Sequence, residues 1–209
     1  MRGCPAMASW TARYARPAVM SFPQENLFAS SAPVHRLFFA LLPSQQERER
    51  LAQLAASLHP AFPDARWIRP QRYHLTLHYL GESEGRREAH IRAALAAANG
   101  LEAAPFTVAL DHLRALGNPA GPALTLAARA APAPLEAFWR TLQVALIRAG
   151  FKQHVGHGFV PHLTLGYVKP DPAMGEVAPV TLRPQSFHLI SSVQGQPEYE
   201  ILGTWPIAA

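Results

Sequence analysis

Two short stretches of this 209-residue chain spell the same word: His74-Leu75-Thr76-Leu77 and His162-Leu163-Thr164-Leu165. In an extended strand alternate side chains share a face, so each copy sets its His beside its Thr and sends its two leucines to the other side. One copy is a common strand fragment. Two copies bring together a pair of imidazoles and a pair of hydroxyls, the equipment of an acid-base catalyst working on a phosphate. Hydrolysis of a phosphodiester takes a base to activate water and an acid on the opposite side to protonate the departing oxygen. Imidazoles, with ordinary pKa values near about 6.5, allow one to be neutral while the other is protonated at the same pH. Threonine hydroxyls donate to the non-bridging oxygens as charge builds there, without competing for protons.

The elements that must position these residues are legible around them. The apolar run Leu37-Phe38-Phe39-Ala40-Leu41-Leu42 reads as a buried strand stopped by Pro43. Ser44 and Glu47 form a Ser-x-x-Glu capping box for a first helix with Leu51, Leu54, Ala55 and Leu58 on one face. The first motif strand runs from about Tyr73 to Leu80. Gly81 and Ser83 open a second helix with the stripe Ile91, Ala94, Leu95 and Ala98, stopped by Asn99-Gly100. Strands are expected at Phe106 to Leu110, continuing to Leu116, and at Ala123 to Ala128, parted by Gly117, Asn118, Pro119 and Gly121. Pro134 starts a third helix with Leu135, Phe138, Trp139, Leu142 and Leu146 inward. The second motif strand, Phe159 to Val168, and two tail strands, Gln185 to Val193 and Tyr199 to Trp205, complete the pattern.

Strand, helix and histidine strand thus occur twice, over Leu37 to Leu80 and Leu124 to Val168. Thr76 and Thr164 are 88 residues apart, and Phe39 moved by that step lands at Ala127 in the matching strand. The expected fold is α+β: duplicated strand-helix-strand units with mainly antiparallel sheets, packed as two lobes about a pseudo-twofold axis with a central cleft.

Composition sets the limits. Nearly half the residues are hydrophobic (49%), yet no stretch is apolar enough to span a membrane, so an ordinary soluble chain is expected. The single cysteine, Cys4, allows no internal disulfide and no thiolate metal cage, which suits a cytoplasmic protein without redox chemistry. The net charge is +5, of which Arg2, Arg13, Arg16 and Glu25 contribute +2, leaving a modest basic bias that agrees with a polyanion such as RNA. Residues 1–33 lack the apolar core of a secretory signal. They read as a disordered extension, with a transit peptide or a later start at Met7 or Met20 as alternatives, ahead of a single bilobal domain over residues 34–209.

These motifs resemble the two-histidine (2H) phosphoesterase superfamily and, within it, the bacterial RNA 2′,3′-cyclic phosphodiesterases also known as 2′-5′ RNA ligases. The resemblance covers about Arg36 to Pro206. It rests on Arg36-Leu37-Phe38-Phe39-Ala40, Arg66-Trp67, His74-Leu75-Thr76-Leu77-His78-Tyr79-Leu80-Gly81, Pro161-His162-Leu163-Thr164-Leu165 and Trp205-Pro206. It implies metal-independent opening of a 2′,3′-cyclic phosphate at an RNA end, or in a cyclic nucleotide, to leave a 2′-phosphate. By position His74 takes the proton-donor role toward the 3′ oxygen, His162 the proton-acceptor role toward water, and Thr76 and Thr164 hold the phosphate. No cofactor and no metal are implied, and a monomer is expected. Two departures concern affinity: Val160 stands where relatives often carry Arg, and His78 where Arg or Lys is common. The same acid-base pair also serves 2′-5′ joining of RNA or cleavage of 2′-5′ oligonucleotides, since the chemistry is reversible. An RNA-binding module on this scaffold would predict decay of a motif, and both are intact.

Other residues divide between site and core. Alternation places His78 on the face of His74 and Thr76, as a possible substrate contact. Phe159 is divided between base stacking and packing. Trp67 and Tyr73 could form aromatic platforms, with core packing favoured for Trp67, and Trp139 is expected in the core. His154 and His157, with His162, raise a zinc site, but no carboxylate accompanies them at a telling spacing and a loop rim is expected instead.

Overall fold

The computed structural model describes residues 32–153, 158–169 and 174–208. The expected extension 1–33 falls almost wholly outside these residues, as do His154 and His157.

The first apolar run forms strand β1 (Val34–Leu41), with Phe39, Ala40 and Leu41 fully buried. The capping box closes as the sequence predicts: the Glu47 N–H donates to Ser44 Oγ at 3.3 Å and the Ser44 N–H to Glu47 Oε2 at 2.7 Å. It starts helix α1 (Gln45–Leu58). The other Glu47 oxygen accepts from the Arg183 N–H at 2.6 Å, so this carboxylate is buried with partners on both sides. Strand β2 (Arg66–Trp67) and a 3-10 turn (Pro70–Arg72) lead into β3 (Leu75–Glu84), the first motif strand. Helix α2 (Glu88–Ala98) begins later than expected because β3 runs on past Leu80, and it stops at Gly100, whose φ of +77° suits a residue without Cβ. Then come β4 (Val108–Leu116), β5 (Ala123–Ala127), helix α3 (Ala133–Arg148) and β6 (His162–Tyr167), the second motif strand. Three strands end the chain: β7 (Glu176–Leu182), β8 (Ser186–Val193) and β9 (Glu200–Pro206).

All described pairings are antiparallel, in the order β7-β4-β5-β6-β3-β1-β8-β9, with β2 added beside β6. The fold is therefore α+β. In place of separate sheets there is one sheet made of two four-strand halves, and the halves meet where β3 pairs β6 at Leu75↔Leu163. Those two leucines are 88 residues apart, so equivalent positions face each other, which is the signature of a local twofold. The halves even share an irregularity. On β3 one extra residue separates Thr76 from His78 opposite Ala40 and Phe39, and on β6 one extra residue separates Thr164 from Gly166 opposite Thr125 and Leu124. This same pairing equates Phe39 with Leu124, three residues short of the 88-residue step that pointed to Ala127, so the repeat is looser between strand and helix than along the motif strands.

The motif leucines lie in the core as alternation requires: Leu75, Leu163 and Leu165 are fully buried and Leu77 nearly so. They pack with the predicted α3 stripe Leu135, Phe138, Trp139, Leu142 and Leu146. Trp205 stacks on Phe187 at 5.1 Å, pinning the last strand to the same core.

Candidate active site

Beyond Leu75↔Leu163 the two motif strands part, and a cleft of about 700 Å3 opens between the halves. Thr76 and Thr164 both line it, together with His74. His162 stands at the first position of β6, two residues from Thr164, and its charge acts on His74. The structure thus places three of the four residues that the repeat singles out in the cleft lining, with His162 outside that lining but close enough for its charge to act on His74.

Each imidazole is held from behind in the same way. His74 Nδ1 lies 2.9 Å from the Arg72 carbonyl and His162 Nδ1 2.7 Å from the Val160 carbonyl, in both cases two residues upstream. A carbonyl only accepts, so each Nδ1 carries the proton and each Nε2 keeps its lone pair. His74 is further enclosed by Phe38, at 5.0 Å between ring centroids, and by Tyr199, at 5.4 Å and nearly perpendicular. This burial, reinforced by the nearby Arg72 charge and that of His162 and opposed by the Arg72 carbonyl, pushes the His74 pKa down to about 4. Ligand-free His74 is therefore neutral at pH 7, and an anion entering the cleft acts against the depression.

Four guanidiniums line the cleft, from Arg36, Arg66, Arg69 and Arg72, and none of its described lining residues is acidic. Arg36 pairs with Glu82 at 3.1 Å and reaches the Tyr79 hydroxyl. Arg66 lies 4.6 Å from the centre of the Tyr167 ring. Among the described residues no group of three or more His, Cys, Asp or Glu is placed to hold a metal ion.

The matching bulges redirect the next side chains. A bulge inserts one residue and reverses the alternation beyond it. His78 consequently turns away from the cleft into the core, correcting the expectation that it shares the face of His74. It is 2% exposed, stacks on Trp139 at 4.7 Å, and donates from Nε2 to the Trp139 carbonyl at 3.0 Å. Trp139 Nε1 in turn donates to the Leu77 carbonyl at 2.7 Å. Tyr79 takes the cleft position instead, and 88 residues on Tyr167 does the same; they are 42% and 39% exposed. Phe159 is also absent from the cleft lining: like His78 it stacks on Trp139 of α3, at 5.3 Å. Tyr73 is core, at 2% exposure. Trp67 serves both purposes, lining the cleft while packing on the core and against His59.

Gly166, the counterpart of His78, meets a different constraint. Strand β2 crosses here, pairing Trp67 with Gly166 and Arg66 with Tyr167, and a Cβ at Gly166 would stand 3.0 Å from the Arg66 carbonyl oxygen. The glycine admits the strand that carries Arg66 to the cleft. Sequence reasoning missed Arg72 and Tyr199 as site residues. Arg72 had a signal, since it precedes His74 by the same two residues as Val160 precedes His162, whereas Tyr199 had none.

Comparison with known proteins agrees with this architecture. Residues 41–125, which include the first motif, match the model of the family described as LigT like Phosphoesterase. A curated protein named RNA 2′,3′-cyclic phosphodiesterase, from Geobacillus stearothermophilus, is 23% identical over 182 residues, which are 81% of this chain. The chain spans 56% of that relative's length. Crystal structures of E. coli LigT share the fold: the apo form matches with a TM-score of 0.69 at 24% identity, covering 86% of this chain and all of that one. The form complexed with 3′-AMP matches with a TM-score of 0.68 at 23% identity, covering 84% and 98%. The match to that family model thus covers residues 41–125, and the fold of the chain is that of the LigT structures.

Proposed function

We propose that this domain hydrolyses 2′,3′-cyclic phosphate ends of RNA, and cyclic nucleotides, to 2′-phosphates by a two-histidine mechanism without a metal. The observation that carries the reading is the meeting of two His-x-Thr strands in one cleft rich in arginine and free of carboxylates among its described lining. The phosphate sits between Thr76 and Thr164, whose hydroxyls donate to its non-bridging oxygens. His162 Nε2 takes a proton from water as the water oxygen attacks phosphorus. The bond to the 3′ oxygen breaks on the opposite side, and His74 Nε2 delivers a proton to that oxygen, leaving a 2′-phosphate and a 3′-hydroxyl. Since His74 is neutral in the empty cleft, it takes up its proton with the anionic substrate, and a depressed pKa makes it a strong donor once charged. The name of the Geobacillus relative supports the substrate class.

One observation favours a second reading, cleavage or joining of 2′-5′ linkages. Tyr79 and Tyr167 occupy equivalent places on both sides of the cleft, each beside an arginine, and offer an aromatic face to a nucleoside on either side of one phosphorus.

The test is turnover of a 2′,3′-cyclic nucleotide, a cyclic-ended RNA and a 2′-5′ dinucleotide in excess chelator, resolving 2′- from 3′-phosphate products. Wild type is expected to give 2′-phosphate, and His74→Ala and His162→Ala to lose at least about a hundredfold in rate. Loss of wild-type turnover on chelation, or unchanged turnover in either variant, sinks the mechanism. Binding of RNA with no turnover of any substrate would make the domain a binding module.

A further inference from the structure

Two imidazoles related by an internal repeat start out equivalent, and here their surroundings differ. His162 is held by the Val160 carbonyl. His74 has the matching Arg72 carbonyl and, in addition, the Tyr199 hydroxyl, which lies 2.9 Å from Nδ1 and donates to that same carbonyl at 3.1 Å. The three groups close a triangle behind the ring, and the edge of Tyr199 meets the imidazole at 88°. Tyr199 is fixed in turn. The Arg72 guanidinium lies 4.0 Å from its ring centre and donates to Ser192 Oγ at 2.8 Å and to the carbonyls of Gln196 and Glu198 at 3.3 and 3.4 Å. One side chain thus fastens the segment between β8 and β9 to the residue that holds His74.

We infer that Tyr199 is a positioning residue for His74: with Arg72 it fixes the plane of this imidazole alone, whose tautomer the carbonyl sets as it does for His162, and so commits the two repeated histidines to different roles. The inference rests on the hydrolytic reading for the reaction in which those roles are played. A backbone carbonyl by itself selects the tautomer but leaves the ring free to swing about χ2; a perpendicular aromatic edge and a second oxygen at Nδ1 remove that freedom. Burial raises the Tyr199 phenol to about 12, so it keeps its proton throughout the working range and serves as a fixed donor. The titratable or charged groups facing His74 are Arg72 from the 3-10 turn, Tyr199 from the segment before β9 and His162 from β6, while β1 presents the uncharged Phe38. Val160 takes the place of Arg72 in the other half, and a valine side chain has neither the charge nor the donors to fasten a second such strap.

Tyr199→Phe removes the hydroxyl and keeps the ring on which Arg72 lies; Arg72→Met removes the guanidinium and keeps the carbonyl. The measurements are imidazole proton-nitrogen spectra of the ligand-free full chain, and kcat and KM with a cyclic nucleotide. In wild type, His74 is expected as a single Nδ1–H tautomer in slow exchange with water. In Tyr199→Phe that proton exchanges at least about tenfold faster, and kcat falls about tenfold with KM changed less than about twofold. In Arg72→Met the His74 titration moves upward, toward its ordinary value. Unchanged exchange of the His74 proton in Tyr199→Phe, or an unmoved titration in Arg72→Met, overturns the inference. The spectra need no substrate: absence of turnover in wild type would count against the hydrolase reading, and identical His74 spectra in wild type and Tyr199→Phe against this one.

Discussion

Replacing His78 by alanine tests whether the paired bulges set the faces of the motif strands. The imidazole makes one hydrogen bond to the Trp139 carbonyl, worth about 1 kcal/mol, and stacks on the indole at 4.7 Å and 21°, worth about another. Deleting a ring that is 2% exposed also leaves a cavity between β3 and α3, adding about 1–2 kcal/mol. The total is about 3–4 kcal/mol, which for a chain of this size lowers the melting temperature by about 6–16 °C. His78→Phe keeps the stack and gives up the hydrogen bond, so its loss is expected to be about 1–2 kcal/mol. Urea unfolding followed by tryptophan fluorescence reads both variants, and Trp139 reports the local change directly. At a temperature where the variants are folded, kcat/KM for a cyclic nucleotide is expected within about threefold of wild type. A His78→Ala protein of wild-type stability with kcat/KM reduced a hundredfold would put the imidazole in the cleft and refute the argument from the bulge.

Three further outcomes follow from the same geometry. His74, whose folded pKa of about 4 lies below an unfolded value near about 6.5, binds its proton more readily in the unfolded chain, so stability is expected to fall by about 3 kcal/mol between pH 6.5 and 4 and to level off below; His74→Gln flattens that part of a pH series of urea midpoints. Gly166→Ala sets a Cβ 3.0 Å from the Arg66 carbonyl and 3.3 Å from Trp67 Cα, so β2 must shift; a loss of about 1–3 kcal/mol and a raised KM are expected in unfolding and kinetic assays, and wild-type values for both would refute the crowding. Arg69→Ala, at an exposed cleft position, is expected to raise KM for a cyclic-ended oligonucleotide several-fold and to weaken its salt dependence, with kcat unchanged; an equal effect at high and low salt would argue against a charge contact.

Much of the framework could be read from the chain because it depended on local rules. The capping box at Ser44 and Glu47, the α3 stripe and the strand-helix-strand repeat all express periodicities of a few residues, and the structure reproduces them. What escaped depended on pairing. Strand β7 contains Pro179, which argues against an interior strand, but β7 lies at the sheet edge where a missing N–H donor is tolerated. Strand β2 is two residues long and exists because β6 lies beside it. The face of His78 follows strict alternation until a one-residue bulge reverses it, and the bulge is a property of the register with β1. The motif residues His74, Thr76, His162 and Thr164 were visible because repetition marked them. Tyr199 was invisible because its partner lies 125 positions away and the geometry of β8 and β9 alone brings it back.

The single rung at Leu75↔Leu163 has a mechanical consequence. Among the described residues every other junction between consecutive strands of the main sheet is a ladder of several pairs, so the sheet is least tied along one line, and that line runs beside Thr76 and Thr164 in the cleft. His74 adjoins one four-strand half and His162 begins a strand of the other, so a small rotation about this crease would change the distance between the halves without bending either. The seam with the fewest pairs thus lies under the proposed site, where closing on a ligand would require little deformation elsewhere.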